Sequence, residues 1–318
     1  TSHNVQRTEF MSSHPISSNN HLTKVSVVIP TFNHADFLRT AIQSVMDQTY
    51  ANWELIIVNN FSTDNTIEVV AEFNDPRIQL INYRNHGVIA ASRNEGVRLA
   101  TGSVVAFLDS DDHWFPHKLA KCVELIDQGN DVVCHGENWS SEGLPIRAVY
   151  YGPAKNSTPK KLLFRGNCIS TSATIVRASV LNEVGGFSEN SEFITAEDYE
   201  LWIKLAKATG KFYFIHEILG VFRRHDQSAS SAVKRHLDAE LSVIDHHSSQ
   251  NMHSLGNYLR LRQRRSKAIY AAGRAEMRAH NKLTASRYFV KALNQSPFFL
   301  RTYIALIMLL RPNSGIPS

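Results

Sequence analysis

SVVAFLDSDDHW, residues 103–114, decides the fold. An unbroken apolar run from Val104 to Leu108 gives way at once to Asp109, Asp111 and Asp112. A short run with no polar alternation reads as a strand buried on both faces, as in parallel sheets covered by helices. In open α/β sheets, ligands bind beyond the carboxyl ends of the strands, which is where these acids stand. Carboxylates this close repel one another. A hard divalent cation such as Mg²⁺ or Mn²⁺ between them removes the conflict and can share its remaining sites with substrate phosphates. A solvated turn whose aspartates cap the helix ahead of His117 and Lys118 explains the same residues without a ligand.

Working outward, VSVVIP from Val25 is a second buried strand, stopped by Pro30, and Leu38, Ala41, Ile42 and Val45 then recur at helical spacing. WELIIVN (Trp53 to Asn59) and RIQLIN (Arg77 to Asn82) are further strands, with helices over Thr66 to Phe73 and Ala90 to Ala100. Short apolar strands alternating with amphipathic helices make βαβ units and a mostly parallel sheet. After a helix over Lys118 to Asp127 and a strand at DVVCHG, the breakers Gly143, Pro145, Gly152, Pro153 and Pro159 predict an irregular excursion. SATIVR (Ser172 to Arg177), a helix over Asp198 to Ala208, and two short strands, KFYFIH and LGVFRR, complete a mixed sheet. From Leu237 the pattern is helical.

Composition bounds what such a chain can be. With 43% apolar and 20% charged residues over 318 positions, it can bury a large core and is neither fibrous nor disordered. The longest largely apolar stretch, Phe298 to Leu310, contains Arg301 and is well short of the roughly 20 residues a membrane-spanning helix needs. Cys122, Cys134 and Cys168 are too few and too scattered for a disulfide framework or zinc knuckle, which favours a reducing cytosol. Residues 1–22 are rich in Ser, Asn, His and Thr and predict a loose leader without a signal-peptide pattern, with Met11 a candidate start.

Charge is unevenly placed. The net +5 conceals a segment, residues 237–318, with 12 Lys+Arg against 4 Asp+Glu. A basic segment that includes RLRQRRSK (Arg260 to Lys267), with Phe298, Phe299 and Tyr303 beyond it, suits an anionic lipid surface. A solvated basic face on helices packed against the rest of the chain is the alternative.

Two polar loops follow the first strands: Pro30-Thr31-Phe32-Asn33, and the run Asn59-Asn60 with Ser62, Thr63, Asp64 and Asn65. Each fits turn and capping chemistry, and short polar side chains there can also read a base edge. The succession VSVVIPTFNH, WELIIVNNFSTDNT, NHGVIAASRNEGVRLATG, VVAFLDSDDHW and AEDYELWIKLA resembles the family-2, inverting glycosyltransferases of the GT-A fold. The likeness covers about Lys24 to Ser231. It implies an α/β fold of the GT-A, Rossmann-like kind: a mostly parallel central sheet flanked by helices, here with a C-terminal α-helical appendage. Residues 23–236 would form the catalytic domain, with a nucleotide-sugar half over about 23–135 and an acceptor half over about 136–236. Residues 237–318 would form the basic helical region.

Carried over residue by residue, the resemblance makes Asp111 the acid that holds the metal bridging the donor diphosphate, and Asp109 the acid near the donor ribose. Pro30, Thr31, Asn33, Asn60, Asp64, Arg93 and Asn94 would border the nucleotide. Asp198 would be the catalytic base, with Glu197 its less suited neighbour. Arg224 and His225 resemble a late Arg/His segment that closes over the diphosphate, His225 as a metal ligand. The implied cofactor is Mn²⁺ or Mg²⁺ and the implied donor a nucleoside-diphosphate sugar, a UDP-sugar foremost. Asn59-Asn60 departs from the two acids expected there. An amide at Asn60 accepts through its carbonyl but also donates and carries no charge, so uridine recognition is weakened.

The implied reaction moves a sugar to a hydroxyl of a glycan or lipid-linked acceptor in surface polysaccharide synthesis, in the cytoplasm or on the inner face of the plasma membrane. Trp114, Trp139 and Trp202 offer faces on which sugar rings can stack; Trp114, directly after the acids, is the favoured one, while Trp202 at helical spacing belongs to the core. Homo-oligomerisation is an open expectation. Nucleic-acid binding leaves the acidic cluster unexplained, and PTFNH after the first strand is no dinucleotide fingerprint. A nucleotidyltransferase, or a sugar-nucleotide-binding protein without turnover, shares the same site logic.

Overall fold

A computed structural model describes residues 22–141, 143–224, 232–248 and 254–310. Its N-terminal half is built from β1 (Val25–Thr31), α1 (Ala35–Met46), β2 (Trp53–Asn59), α2 (Thr66–Ala71), β3 (Ile78–Asn82), α3 (Ile89–Leu99) and β4 (Val104–Phe107). These strands lie parallel in the order β3-β2-β1-β4. Strand alternation sends Val27 and Ile29 to a layer with Leu38 and Ile42 of α1, and Val28 to the opposite layer with Ala90 of α3. Both faces are covered, so these strands read as solid apolar runs. The close fit is visible at Gly96 of α3, where a Cβ would stand 2.4 Å from the Val28 side chain.

Pro30 does not stop β1, contrary to expectation. The strand continues through Pro30 opposite Val58 to Thr31 opposite Asn59, whereas pairing with β4 ends at Val28. The missing N–H of Pro30 therefore falls beyond the β4 ladder.

The second half comprises β5 (His113–Trp114), α4 (Lys118–Asp127), β6 (Val132–Ser141), β7 (Leu144–Val149), α5 (Pro159–Arg165), β8 (Thr174–Arg177), α6 (Ala178–Glu183), α7 (Glu197–Ala208) and β9 (Phe212–Arg224). β8 inserts antiparallel between β4 and β6, and β9 runs parallel to β6 with β5 antiparallel on its far side. The expected pair KFYFIH and LGVFRR is one strand, β9, held to β6 through two register shifts around Gly136. The excursion expected from Gly143 onward begins later. Gly143 and Pro145 belong to a hairpin in which β7 pairs with β6 as an edge strand, where a missing proline N–H is tolerated.

Four helices close the chain: α8 (Val233–Ser248), α9 (Leu255–Arg278), α10 (Lys282–Gln295) and α11 (Leu300–Leu309). The boundary expected at 236/237 falls inside α8. Val243 and Ile244 of α8 and Leu261 of α9 belong to the same core as Phe107 and Trp202, so the C-terminal helices are continuous with the sheet layer. Among the described residues, no helix is long and apolar enough to cross a membrane.

Candidate active site

The carboxyl ends of β1 and β4, the first turn of α7 and the β6–β7 hairpin surround a cavity of about 700 Å³. Pro30, Arg93, Asp109, Asp111 and Asp198 all line it, although Asp198 lies 87 positions after Asp111 in the chain. Backbone strain concentrates around this edge. Asn33, Phe61 and His86, in the loops after β1, β2 and β3, have φ near +54°, +55° and +52°, and Thr195, just before α7, has φ +84°. A β-branched residue in that region is costly and persists only where its surroundings over-determine it.

Arg93 ties the two halves together. From α3, only 4% exposed, its guanidinium donates to Asp109 Oδ1 at 2.7 Å and to Glu197 Oε1 at 2.7 Å. Burial acts to lower its pKa, but the two carboxylates outweigh that and raise it, so it stays charged. Glu197 is fully engaged, because its other oxygen accepts from the Thr195 N–H at 2.8 Å.

Asp198 is less occupied. Its Oδ2 accepts from Asn167 Nδ2 at 3.3 Å and its Oδ1 from the Tyr199 N–H. Burial, then the charge of Glu197, pushes its carboxyl up to about 6. His236 and Thr195 border the same part of the cavity, with His236 Nδ1 3.0 Å from the Thr195 carbonyl oxygen.

In the acidic cluster, Asp112 turns inward, accepting from Ser172 Oγ at 2.6 Å and from the Arg223 N–H at 2.8 Å. Burial and the charges of Asp111, Glu137 and Asp109 push its carboxyl well above the usual range. Asp111 faces the cavity, half-buried. No group of three or more His, Cys, Asp or Glu side chains converges on one point among the described residues. The donor set nevertheless fits Mg²⁺ or Mn²⁺, which take one or two carboxylates and complete their shell with water and substrate phosphate.

Other expected site residues are placed differently. Thr31 is buried with its Oγ1 unpartnered. Asn33 Oδ1 accepts from the Thr63 N–H at 2.7 Å, joining the first two loops. Asn60 Oδ1 accepts from the Asn85 N–H at 3.0 Å. Asp64 caps two helices, accepting from the N–H groups of Ala35 and Thr66 and from the Thr66 hydroxyl; burial opposes the shift, but these bonds hold its carboxyl below the usual range. Asn94 braces α3 to the loop before α7, exchanging hydrogen bonds with the backbone of Phe187 and donating to Glu189. None of these five lines the cavity. Arg224 ends β9 exposed, its guanidinium 5.7 Å from the Trp139 ring centroid. His225 lies outside the described residues.

Trp114 is a correction. It is 3% exposed, donates to the Ser172 carbonyl at 2.7 Å, and has the Lys118 ammonium 3.5 Å from its ring centroid. It is core, as is Trp202. The aromatic wall comes instead from Trp139, Tyr150, Tyr151 and Phe222. Trp139 packs on Phe222 at 5.2 Å between centroids and donates to the Tyr151 hydroxyl, which in turn donates to buried Glu137 at 2.6 Å. Burial pushes Glu137 up to about 7. Of these four, the sequence reading singles out Trp139 as a stacking candidate and misses Tyr150, Tyr151 and Phe222.

Comparison with known proteins accords with this arrangement. The Glycosyl transferase family 2 model matches residues 26–185, from β1 to just past α6. The UDP-Glc:alpha-D-GlcNAc-diphosphoundecaprenol beta-1,3-glucosyltransferase WfgD of Escherichia coli is 34% identical over 183 residues, covering 58% of this chain and 70% of that protein. The putative teichuronic acid biosynthesis glycosyltransferase TuaG of Bacillus subtilis (strain 168) is 28% identical over 211 residues, covering 65% and 81%. In fold, S. aureus TarS in complex with UDP-GlcNAc superposes with a TM-score of 0.60 at 17% identity, covering 89% of this chain and 92% of that one. The mannosyltransferase PcManGT of Pyrobaculum calidifontis, in complex with GDP-Man and Mn²⁺, gives 0.59 at 18% identity, covering 91% and 81%. The chain belongs to glycosyl transferase family 2 and is a glycosyltransferase of the GT-A fold.

Proposed function

We propose that this enzyme transfers a hexose, with inversion at the anomeric carbon, from a nucleoside-diphosphate sugar to a hydroxyl of a lipid-diphosphate-linked glycan in cell-surface polysaccharide synthesis. One observation carries it: Asp111 and Asp198, on opposite sides of the sheet's midline in sequence, line a single cavity. The names of WfgD and TuaG support the acceptor class and the biosynthetic setting.

Within that cavity, the donor nucleotide lies over the ends of β1 and β4, with Pro30 and Asp109 on its sugar side. Asp111 is the residue that would hold Mn²⁺ or Mg²⁺, and a bound divalent ion supplies charge neutralisation to the departing diphosphate. Asn60 stands outside the cavity lining and spends its carbonyl on the Asn85 N–H, so it does not select the base from within the cavity. Arg224 at the rim is placed to meet diphosphate oxygens.

The acceptor enters against Trp139, Tyr150 and Phe222, whose faces pack on the apolar faces of sugar rings. Its hydroxyl oxygen bonds to the anomeric carbon as the sugar–phosphate bond breaks on the opposite face. The electron pair leaves with the nucleoside diphosphate and the hydroxyl proton passes to Asp198. Glu197 is held in an ion pair by the buried Arg93 guanidinium, whereas the donors to Asp198 are neutral, which favours Asp198 as the base. A single displacement with one base inverts the centre.

Incubating the protein and Mn²⁺ with UDP-Glc, UDP-GlcNAc or GDP-Man and a GlcNAc-diphosphate-lipid analogue tests this. The expected product is an extended glycolipid whose new linkage is β from an α-linked donor, read by NMR. Pyrophosphate release from a sugar phosphate and nucleoside triphosphate, without glycolipid, would identify a nucleotidyltransferase instead.

A further inference from the structure

The last described helix is built inside out. On α11 the small residues Thr302 and Ala305 are 0% and 1% exposed, and Ala305 packs against Ala285 and Phe289 of α10. Leu306 and Leu309 pack partly against the same cluster, whereas Leu300, Ile304 and Ile307 face away, 72%, 58% and 61% exposed. Spaced i, i+4, i+7, they share one helix face. A single exposed leucine is ordinary, whereas a continuous apolar stripe along a helix marks a contact surface.

The stripe has neighbours. Phe298, exposed in the turn before α11, stands at the end of the α9–α10 hairpin, where the Arg262 guanidinium donates to the Asn294 carbonyl. Leu255 and Leu259, also exposed, lie two turns and one turn before Arg262 on α9. The same three helices carry the exposed cations Arg260 on α9, Lys291 on α10 and Arg301 on α11. Across residues 254–310 there are 11 Lys+Arg and a single acid, Glu276.

Charge selects the occupant. Two copies of this surface facing each other would oppose cation to cation, which disfavours self-association. An anionic bilayer offers phosphates to the cations and an acyl boundary to the stripe, the combination that seats amphipathic helices in the interfacial plane. We propose that α11, with the flanking cations of α9 and α10, docks the protein on an anionic lipid surface, Leu300, Ile304 and Ile307 entering the headgroup–acyl boundary. Nothing in this depends on the donor, the base or the acceptor, so its failure would leave the transferase assignment standing.

The test is flotation of the full chain with vesicles of phosphatidylcholine alone or with about one-third phosphatidylglycerol. Expected is recovery with the anionic vesicles at least about tenfold above the neutral ones, falling away in high salt. Ile304→Asn with Ile307→Asn should reduce that binding by about tenfold or more, with melting temperature and circular dichroism unchanged. Lys291→Glu with Arg301→Glu supplies an independent variant that leaves the apolar face intact and should weaken anionic binding to a similar degree. The proposal is overturned if the wild type does not float with anionic vesicles, or if neither variant weakens flotation. It is also overturned if sedimentation shows a dimer that the Ile304/Ile307 variant dissolves while no lipid is bound, since the stripe then belongs to a second copy.

Discussion

Asp198 is both poised and exposed to a pH limit. With its carboxyl pushed up to about 6, it is largely ionised at neutral pH and competent to take a proton. The active form is the base, so kcat/KM should fall about tenfold for each pH unit below about 6 and level off above it. Asp198→Asn should lose about 10²–10⁴-fold in kcat while nucleotide binding persists, as steady-state rates and a binding isotherm will show. Glu137 makes the opposite kind of prediction, on stability. Its folded carboxyl titrates near 7, above the ordinary 4.5, so folding takes up a proton and stability falls as pH rises through that window. Glu137→Gln keeps an acceptor for the Tyr151 hydroxyl without the buried charge. At pH 8 the variant should be more stable than wild type, on the order of 1–3 kcal/mol, and at pH 5 the difference should vanish. Denaturant melts at the two pH values check the sign. Asp109 and Asp111 were legible because the acids interrupt an apolar strand, and Asp198 only because AEDYELW resembles the family's segment. The bonds that withdraw Asp64 and Asn94 from the cavity were not legible. Both are satisfied by backbone groups from elements distant in sequence: Ala35 for Asp64, Phe187 for Asn94.

Elements differ in how openly their sequence declares them. β1, β2 and β4 are buried on both faces, and nothing but apolar side chains can occupy them, so their pattern survives in sequence. β6 begins the same way and then carries His135, Glu137, Asn138 and Trp139, of which Trp139 lines the cavity and Glu137 accepts from the Tyr151 hydroxyl behind it. Function breaks the periodicity at the point where the site begins. β9 was divided in two for a related reason: around Gly136 the register slips, and a Cβ there would meet the Tyr150 ring at 2.9 Å. The wall these strands build should serve the acceptor rather than the donor. Trp139→Ala is expected to raise KM for the acceptor by about tenfold or more, the worth of a stacked aromatic, with donor KM nearly unchanged. Equal rises in both constants would place the wall on the donor side instead.

At the scale of the whole molecule, α8 and the start of α9 share the core of the sheet, while α10 and α11 pack onto α9 through smaller apolar clusters. Leu261 and Val243 share a core with Trp202, and Arg264, buried on α9, is paired with Glu240 of α8, which borders the cavity. Tryptophan fluorescence and far-UV circular dichroism should therefore report a single coincident unfolding transition. Arg264→Met, which strands Glu240, should lower stability by about 3–5 kcal/mol, seen as a shifted denaturant midpoint. The sequence signalled a basic helical region but not its continuity with the core, because apolar spacing shows which face is buried and not against what. The central claim is that a nucleoside diphosphate and a divalent ion bind at Asp111, in the cavity that also holds Asp198. Thermal shift with Mn²⁺ and UDP, GDP, CDP or TDP measures it directly. The account predicts a metal-dependent rise in melting temperature for one nucleotide, UDP foremost, lost in Asp111→Ala and retained in Asp198→Asn. No rise with any of the four, or a rise that survives Asp111→Ala undiminished, would contradict it.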